Sequence, residues 1–150
     1  MRKLKQKLQQ QEKENRPCWF LDTNILVSAF WYKNGSPAKV VSMVLTEEIT
    51  PCFDYRIITE YREVLSRPRF GFSEAEINSF ISWVLAYGRS VLAPSLPDHF
   101  EDESDKKFYE IAKFCNATLI TGNLKHFPKD PIVMSVSEFL GYSSESKREQ

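Results

Sequence analysis

The sequence predicts an α/β domain built on a mostly parallel central sheet with helices on both faces. Short apolar runs at 18–21, 49–53, 118–121 and 132–134 alternate with stretches of helical periodicity, as βαβ units require. Helix-start signals fall between them: Ser36-Pro37, Asp54 and the capping box Ser73-Glu74-Ala75-Glu76. At 150 residues the chain suits one normal core and is short for two.

Taken in order, residues 1–16 have no apolar face beyond Met1, Leu4 and Leu8. Six basic side chains there meet only Glu12 and Glu14, so this segment reads as a basic, mobile or loosely helical extension. A solvated tail is the plain explanation, and contact with RNA or a partner the alternative. The domain itself is expected over 17–142, and a polar tail over 143–150.

The first strand, Cys18-Trp19-Phe20-Leu21, delivers Asp22 to its end, followed by Thr23 and Asn24 as loop-ordering residues. Ser36 caps a helix through Val40, Val41, Val44 and Leu45. Ile49 to Phe53 is a second strand, and Asp54 caps a helix over 55–66 that Arg67-Pro68 stops. The Ser73 helix carries Ile77, Phe80, Ile81, Val84 and Leu85 on one stripe and ends at Gly88. A strand near 90–93 ends at Pro94, and an acid-rich loop leads to a helix over 104–116. Thr118 to Thr121 is a strand turned by Gly122-Asn123. A last strand at 132–134 precedes a short helix at 138–140.

Composition narrows the function classes. Hydrophobic residues make up 42% and charged residues 27%, as in an ordinary globular chain. No apolar run approaches the roughly 18 residues of a membrane span, and the charged start lacks a signal-peptide core, so a cytoplasmic protein is expected. The net charge is zero, and the basic extension leaves the body negative, so bulk charge gives no reason to bind nucleic acid. Cys18, Cys52 and Cys115 are odd in number, widely spaced and set among apolar neighbours. They are read as reduced core thiols.

The candidate chemistry is acidic. On the 55–66 helix the stripe Ile57, Ile58, Tyr61, Val64 and Leu65 centres near Tyr61. At about 100° per residue, Glu60 lies about 100° from that centre and Glu63 about 160°. Glu63 is thus the solvated acid and Glu60 the boundary one, either aimed into a cleft or paired with Arg56. Asp105 stands one turn ahead of Phe108 on the inner side of its helix, with N-terminal capping as the simpler account. Carboxylates converging from separate segments repel unless a cation neutralises them, and an all-oxygen set suits Mg²⁺ or Mn²⁺ better than zinc. There is no glycine-rich phosphate loop and no G-x-S-x-G elbow, and His99 and His126 have no obvious nucleophile partner.

Four segments together resemble the PIN-domain family, in its bacterial and archaeal toxin branch related to the VapC-like ribonucleases. They run from Leu21 to Phe30 (with Asp22-Thr23-Asn24), Ile58 to Phe70 (with Glu60), Asp102 to Ala112 (with Asp105) and Leu119 to Phe127 (with Gly122-Asn123). The resemblance spans about residues 18–140. It implies a PIN-like three-layer α/β/α sandwich and Mg²⁺- or Mn²⁺-dependent cleavage of single-stranded RNA. It also implies a homodimer and an antitoxin protein as partner. Carried over by position, Asp22, Glu60 and Asp105 are the catalytic, metal-binding acids, with Asp102 and Asn123 auxiliary. Asn123 replaces the fourth acid of many relatives, bringing an amide oxygen and no charge, or it serves only as a turn residue tolerant of left-handed backbone. Arg67, Arg69, Lys106, Lys107 and Lys125 are candidate RNA contacts, each otherwise a solvated charge. Trp31, Tyr32, Phe80 and Trp83 are candidate dimer contacts, each otherwise core. A PIN-fold scaffold that binds RNA or protein with little turnover is the rival to the nuclease.

Overall fold

The computed structural model describes residues 2–7, 18–91 and 103–148, without the side chains of 103–106 and 143–148. Residues 2–7 form a short exposed helix, α1. The body runs β1 (Cys18–Leu21), α2 (Thr23–Trp31), α3 (Ser36–Leu45), β2 (Thr50–Phe53), α4 (Tyr55–Leu65), α5 (Glu74–Tyr87), β3 (Arg89–Ser90), α6 (Glu103–Cys115), β4 (Thr118–Thr121), β5 (Val133–Ser135) and α7 (Val136–Arg148). Single 3-10 turns at Pro68–Phe70 and Leu124–His126 join them.

The five strands form one sheet in the order β3-β2-β1-β4-β5, and every pairing is parallel. With helices against it the fold is an α/β/α sandwich, the expected class: α6 packs on β1 and β4, while α3 packs on α2 and α7. Strands β1, β2 and β3 step outward in one direction and β4, β5 in the other. The winding therefore reverses between β1 and β4, and their carboxyl ends flank the crevice where open α/β sheets bind ligands. Central parallel strands are covered on both faces, which is why they read as unbroken apolar runs. Phe20, Leu119 and Ile120 are completely buried, and Leu21 nearly so.

Several elements form where their local signals put them. The Asp54 carboxylate accepts from the Ile57 amide at 3.0 Å, and the Ser73 hydroxyl from the Glu76 amide at 3.3 Å. Others differ. Thr23 and Asn24 are the first turn of α2 rather than a loop, because Ile25, Leu26, Ala29 and Phe30 make a buried helical stripe. Gly35, not Ser36, occupies the cap of α3, so Ser36 and Pro37 lie inside the first turn. β3 is only Arg89–Ser90, and residues 92–93 lie outside the described region. The expected short helix at 138–140 is the start of α7, opened by a reciprocal capping box between Ser135 and Glu138 at 3.1 and 3.3 Å. The helix continues through residues 143–148, part of the expected polar tail.

The cysteine expectation is corrected. Cys18 and Cys52 form a disulfide between the adjacent strands β1 and β2, with Cα atoms 5.6 Å apart. Parallel register brings residues 34 apart in sequence side by side. That proximity is a tertiary consequence, which cysteine spacing does not reveal. Cys115 is free, and its thiol pKa is raised by partial burial, against a smaller lowering from the charge of Arg89.

Gly88 ends α5 at a close approach. A Cβ there would sit 2.5 Å from the Val84 carbonyl oxygen, 2.7 Å from that of Pro51 and 3.1 Å from the Phe53 ring. Both carbonyls belong to elements with little room to retreat. Gly88→Ala is expected to destabilise the fold by about 1–3 kcal/mol. A urea midpoint unchanged from wild type would show that α5 can shift off β2.

Candidate active site

Asp22 stands at the carboxyl end of β1, where its amide still donates to the Ile120 carbonyl at 2.9 Å as a continuation of the β1–β4 ladder. Its backbone is extended, and its side chain makes no cap bond to α2. Instead the carboxylate Oδ2 accepts from the Thr121 hydroxyl at 2.7 Å. Asp22 is 4% exposed and Thr121 fully buried. The Thr121 oxygen also accepts from the Asn123 amide at 3.0 Å, so one hydroxyl joins the acid to the turn after β4. Beside it the Asn24 side chain accepts from the Gly122 amide at 3.1 Å. Two strand ends on either side of the winding reversal are thus stitched together by side chains.

Glu60 arrives from α4. Its Oε2 accepts a short hydrogen bond from the buried Thr23 hydroxyl, and its Oε1 lies 2.8 Å from the Lys107 ammonium on α6. The carboxylate is 13% exposed, at the border of the buried face as helical geometry placed it, whereas Glu63 is 72% exposed and lies 4.0 Å from Arg67. Next to Glu60, the Tyr61 hydroxyl donates to the Leu21 carbonyl, which binds α4 to the end of β1. The Tyr61 phenol is pushed well above its ordinary range, first by burial, then by the negative charges of Asp22 and Glu60, against a lowering from the Leu21 hydrogen bond. Both carboxylates therefore act on the same buried point.

Asp105 and Lys106 lie in the first turn of α6, whose side chains there are outside the described region, and Asp102 is outside it altogether. Among the described residues no group of three or more His, Cys, Asp or Glu is placed to hold a metal. The oxygen donors that are described, carboxylates with threonine hydroxyls behind them, match the preference of Mg²⁺ and Mn²⁺. Asn123 is exposed and has φ −130°, so left-handed backbone does not account for it. Lys107, considered as an RNA contact, instead pairs with Glu60. Arg67, Arg69 and Lys125 are exposed, with Arg69 over the Phe70 ring at 4.9 Å.

Arg56 does not pair with Glu60. Its Nε meets Asp54 and its Nη1 meets Glu110, both at 2.9 Å. Glu110 is 2% exposed, a buried acid the sequence reading missed. It lies about 150° from the centre of the stripe formed by Phe108, Ile111, Ala112 and Cys115, on the side of α6 that would ordinarily face solvent. α4 covers that side and supplies the arginine. Thr121 was also missed, although a threonine closing the run Leu119-Ile120 beside an acid-bearing strand end was the available signal.

This is an α/β domain with acids and their hydroxyl partners collected at the reversal of its sheet. The chain belongs to the PIN-domain family, whose model matches residues 19–125. Among solved structures it is similar to a chain of VapBC2 from Rickettsia felis bound to a DNA fragment from their promoter. The TM-score is 0.51 and the identity 19%, over 79% of this chain and 96% of that one. At that identity the likeness concerns the fold. No curated protein sequence matches the chain.

The position of Tyr61 sets a pH test. In the unfolded chain its phenol ionises near pH 10, whereas the folded phenol stays protonated. The unfolded state then binds fewer protons, so stability present below about pH 10 falls as pH rises above it. Tyr61→Phe lacks this proton. Its urea midpoint should fall less steeply between roughly pH 9.5 and 11 than that of wild type. Parallel declines would show that Tyr61 ionises as freely folded as unfolded.

Proposed function

We propose that the protein is a Mg²⁺- or Mn²⁺-dependent endoribonuclease acting on single-stranded RNA, and the toxin of a toxin–antitoxin pair. The observation that carries this is the meeting of Asp22 and Glu60, from separate elements, at the sheet reversal. Asp22, Glu60 and Asp105 would hold the ion, with Asp102 and Asn123 auxiliary. When bound, such an ion supplies an acidified water and polarises a phosphoryl oxygen. The chain's own part is orientation: Thr121 fixes one oxygen of Asp22, and Thr23 one of Glu60, so neither acid is free to rotate away.

Partner assignments follow the same reading. The likeness to VapBC2 supports pairing with an antitoxin. A groove of about 420 Å³ between α2, α3 and α5, lined by Phe30, Val41, Leu45, Phe80 and Trp83, suits an apolar segment of such a partner. Lys33 and Glu76 form an ion pair at its rim. Of the aromatic residues considered for a homodimer, Trp31 and Tyr32 are 51% and 67% exposed. Phe80 is buried, and the half-buried Trp83 donates to the Val44 carbonyl at 3.1 Å, so these two form the wall of the groove rather than protruding from the surface.

Purified protein should cleave single-stranded RNA with Mg²⁺ or Mn²⁺ and stop on chelation. Replacing partners behind metal ligands typically costs about 10–100-fold, so Asp22→Asn, which alters a ligand, should cost at least about a hundredfold. Glu63→Gln should stay within about twofold, since an exposed charge on the far side of α4 touches nothing in the site. Gel assays on a panel of RNAs check all three. RNA retained without cleavage by a protein that binds Mn²⁺ would favour the scaffold.

A further inference from the structure

The Lys107–Glu60 pair occupies the oxygen that the proposed metal needs. Glu60 Oε1 takes the ammonium at 2.8 Å and Oε2 takes the Thr23 hydroxyl, so both carboxylate oxygens already have donors. Neither side chain is loosely placed: Lys107 is 21% and Glu60 13% exposed. Surface ion pairs of this type are common and mean little, but here the acid lies beside Thr23, directly after Asp22, and its charge is felt at Tyr61. An ammonium and a divalent ion on one carboxylate repel each other, and Mg²⁺ requires near-octahedral oxygen geometry, which a neighbouring ammonium crowds.

We propose that Lys107 is a built-in counter-ion that competes with the divalent ion for Glu60, so that metal loading breaks the Lys107–Glu60 bridge. This rests on the metal-dependent reading above and adds a positioning residue to it. In the metal-free protein the ammonium neutralises Glu60 and holds it against α6. Its flexible four-carbon stem lets it swing away when the ion arrives. A second bridge keeps the helices in register once it leaves: Arg56 on α4 meets Glu110 on α6 at 2.9 Å, with the charges reversed. Arg56 lies one helical turn from Glu60, and Glu110 about one turn from Lys107. The antiparallel helices thus carry one bridge that yields and one that stays.

The test is Mn²⁺ binding without RNA, by calorimetry on the full chain. Two cations coupled through one carboxylate should show a coupling of about tenfold, so Lys107→Met should bind Mn²⁺ about tenfold more tightly than wild type. Lys107→Arg, which keeps the charge, should stay much closer to wild type. Unchanged or weaker binding in Lys107→Met overturns the proposal. Asp22→Asn run alongside separates the causes: if it loses binding while Lys107→Met is unchanged, only the counter-ion role fails, and if neither variant changes binding, the metal reading fails with it. Should Lys107→Met not fold, ¹⁵N-detected lysine ammonium spectra of wild type provide the second measurement. The Lys107 signal should shift or vanish on Mg²⁺ titration, and a signal unmoved at saturation overturns the proposal.

Discussion

A carboxylate buried at the end of the central strand is the constraint around which the rest of the site is arranged. Asp22 is almost completely withdrawn from water, and burying such a charge is costly unless hydrogen bonds replace its hydration. The Thr121 hydroxyl does so from the neighbouring strand, which is only possible because β1 and β4 run parallel and end together. The Asn24–Gly122 bond holds the same two strand ends from the other side. Moving β4 by one residue would turn Thr121 to the opposite face and take this hydroxyl away from Asp22.

From that junction the geometry spreads outward. Tyr61 fastens α4 to the Leu21 carbonyl, one residue before Asp22, and this fixes where Glu60 can reach. Thr23, one residue after Asp22, then holds Glu60. Three consecutive residues of the chain thereby set an acid, its neighbour from another helix and the helix itself. The α2 start contributes because Thr23 is helical and buried: a loop at this point would leave the hydroxyl free to turn elsewhere.

Much of this was legible in sequence because it follows from local patterns. The alternation of strands and helices, the Asp54 and Ser73 caps and the split between Glu60 and Glu63 each depend on periodicity within one element. What sequence did not disclose depends on which elements meet. Glu110 sits on the polar side of its helix and is buried only because α4 lies over it with Arg56. Cys18 and Cys52 are joined through strand pairing, which cysteine spacing does not encode. The start of α2 was hidden by its own composition: Ile25, Leu26 and Val27 are apolar residues that suit a strand as well as a helix, and only their burial on one helical stripe separates the two. The box that opens α7, by contrast, was there to be read in Ser135-Val136-Ser137-Glu138.

Counting acids overstates how much charge the site must have neutralised from outside. Glu60 already faces an ammonium, and Glu110 and Asp54 share a guanidinium one turn away on the same pair of helices. Asp22 is stabilised by a hydroxyl rather than by charge alone, and the position after Gly122 is a neutral amide. Each of these lowers the repulsion that converging carboxylates would otherwise impose on the folded chain. The domain can therefore hold its acids together before any divalent ion is bound, because α4 and α6 bring their own cations to the carboxylates that face them. On the metal-dependent reading proposed above, an ion would displace a partner already there rather than assemble the site.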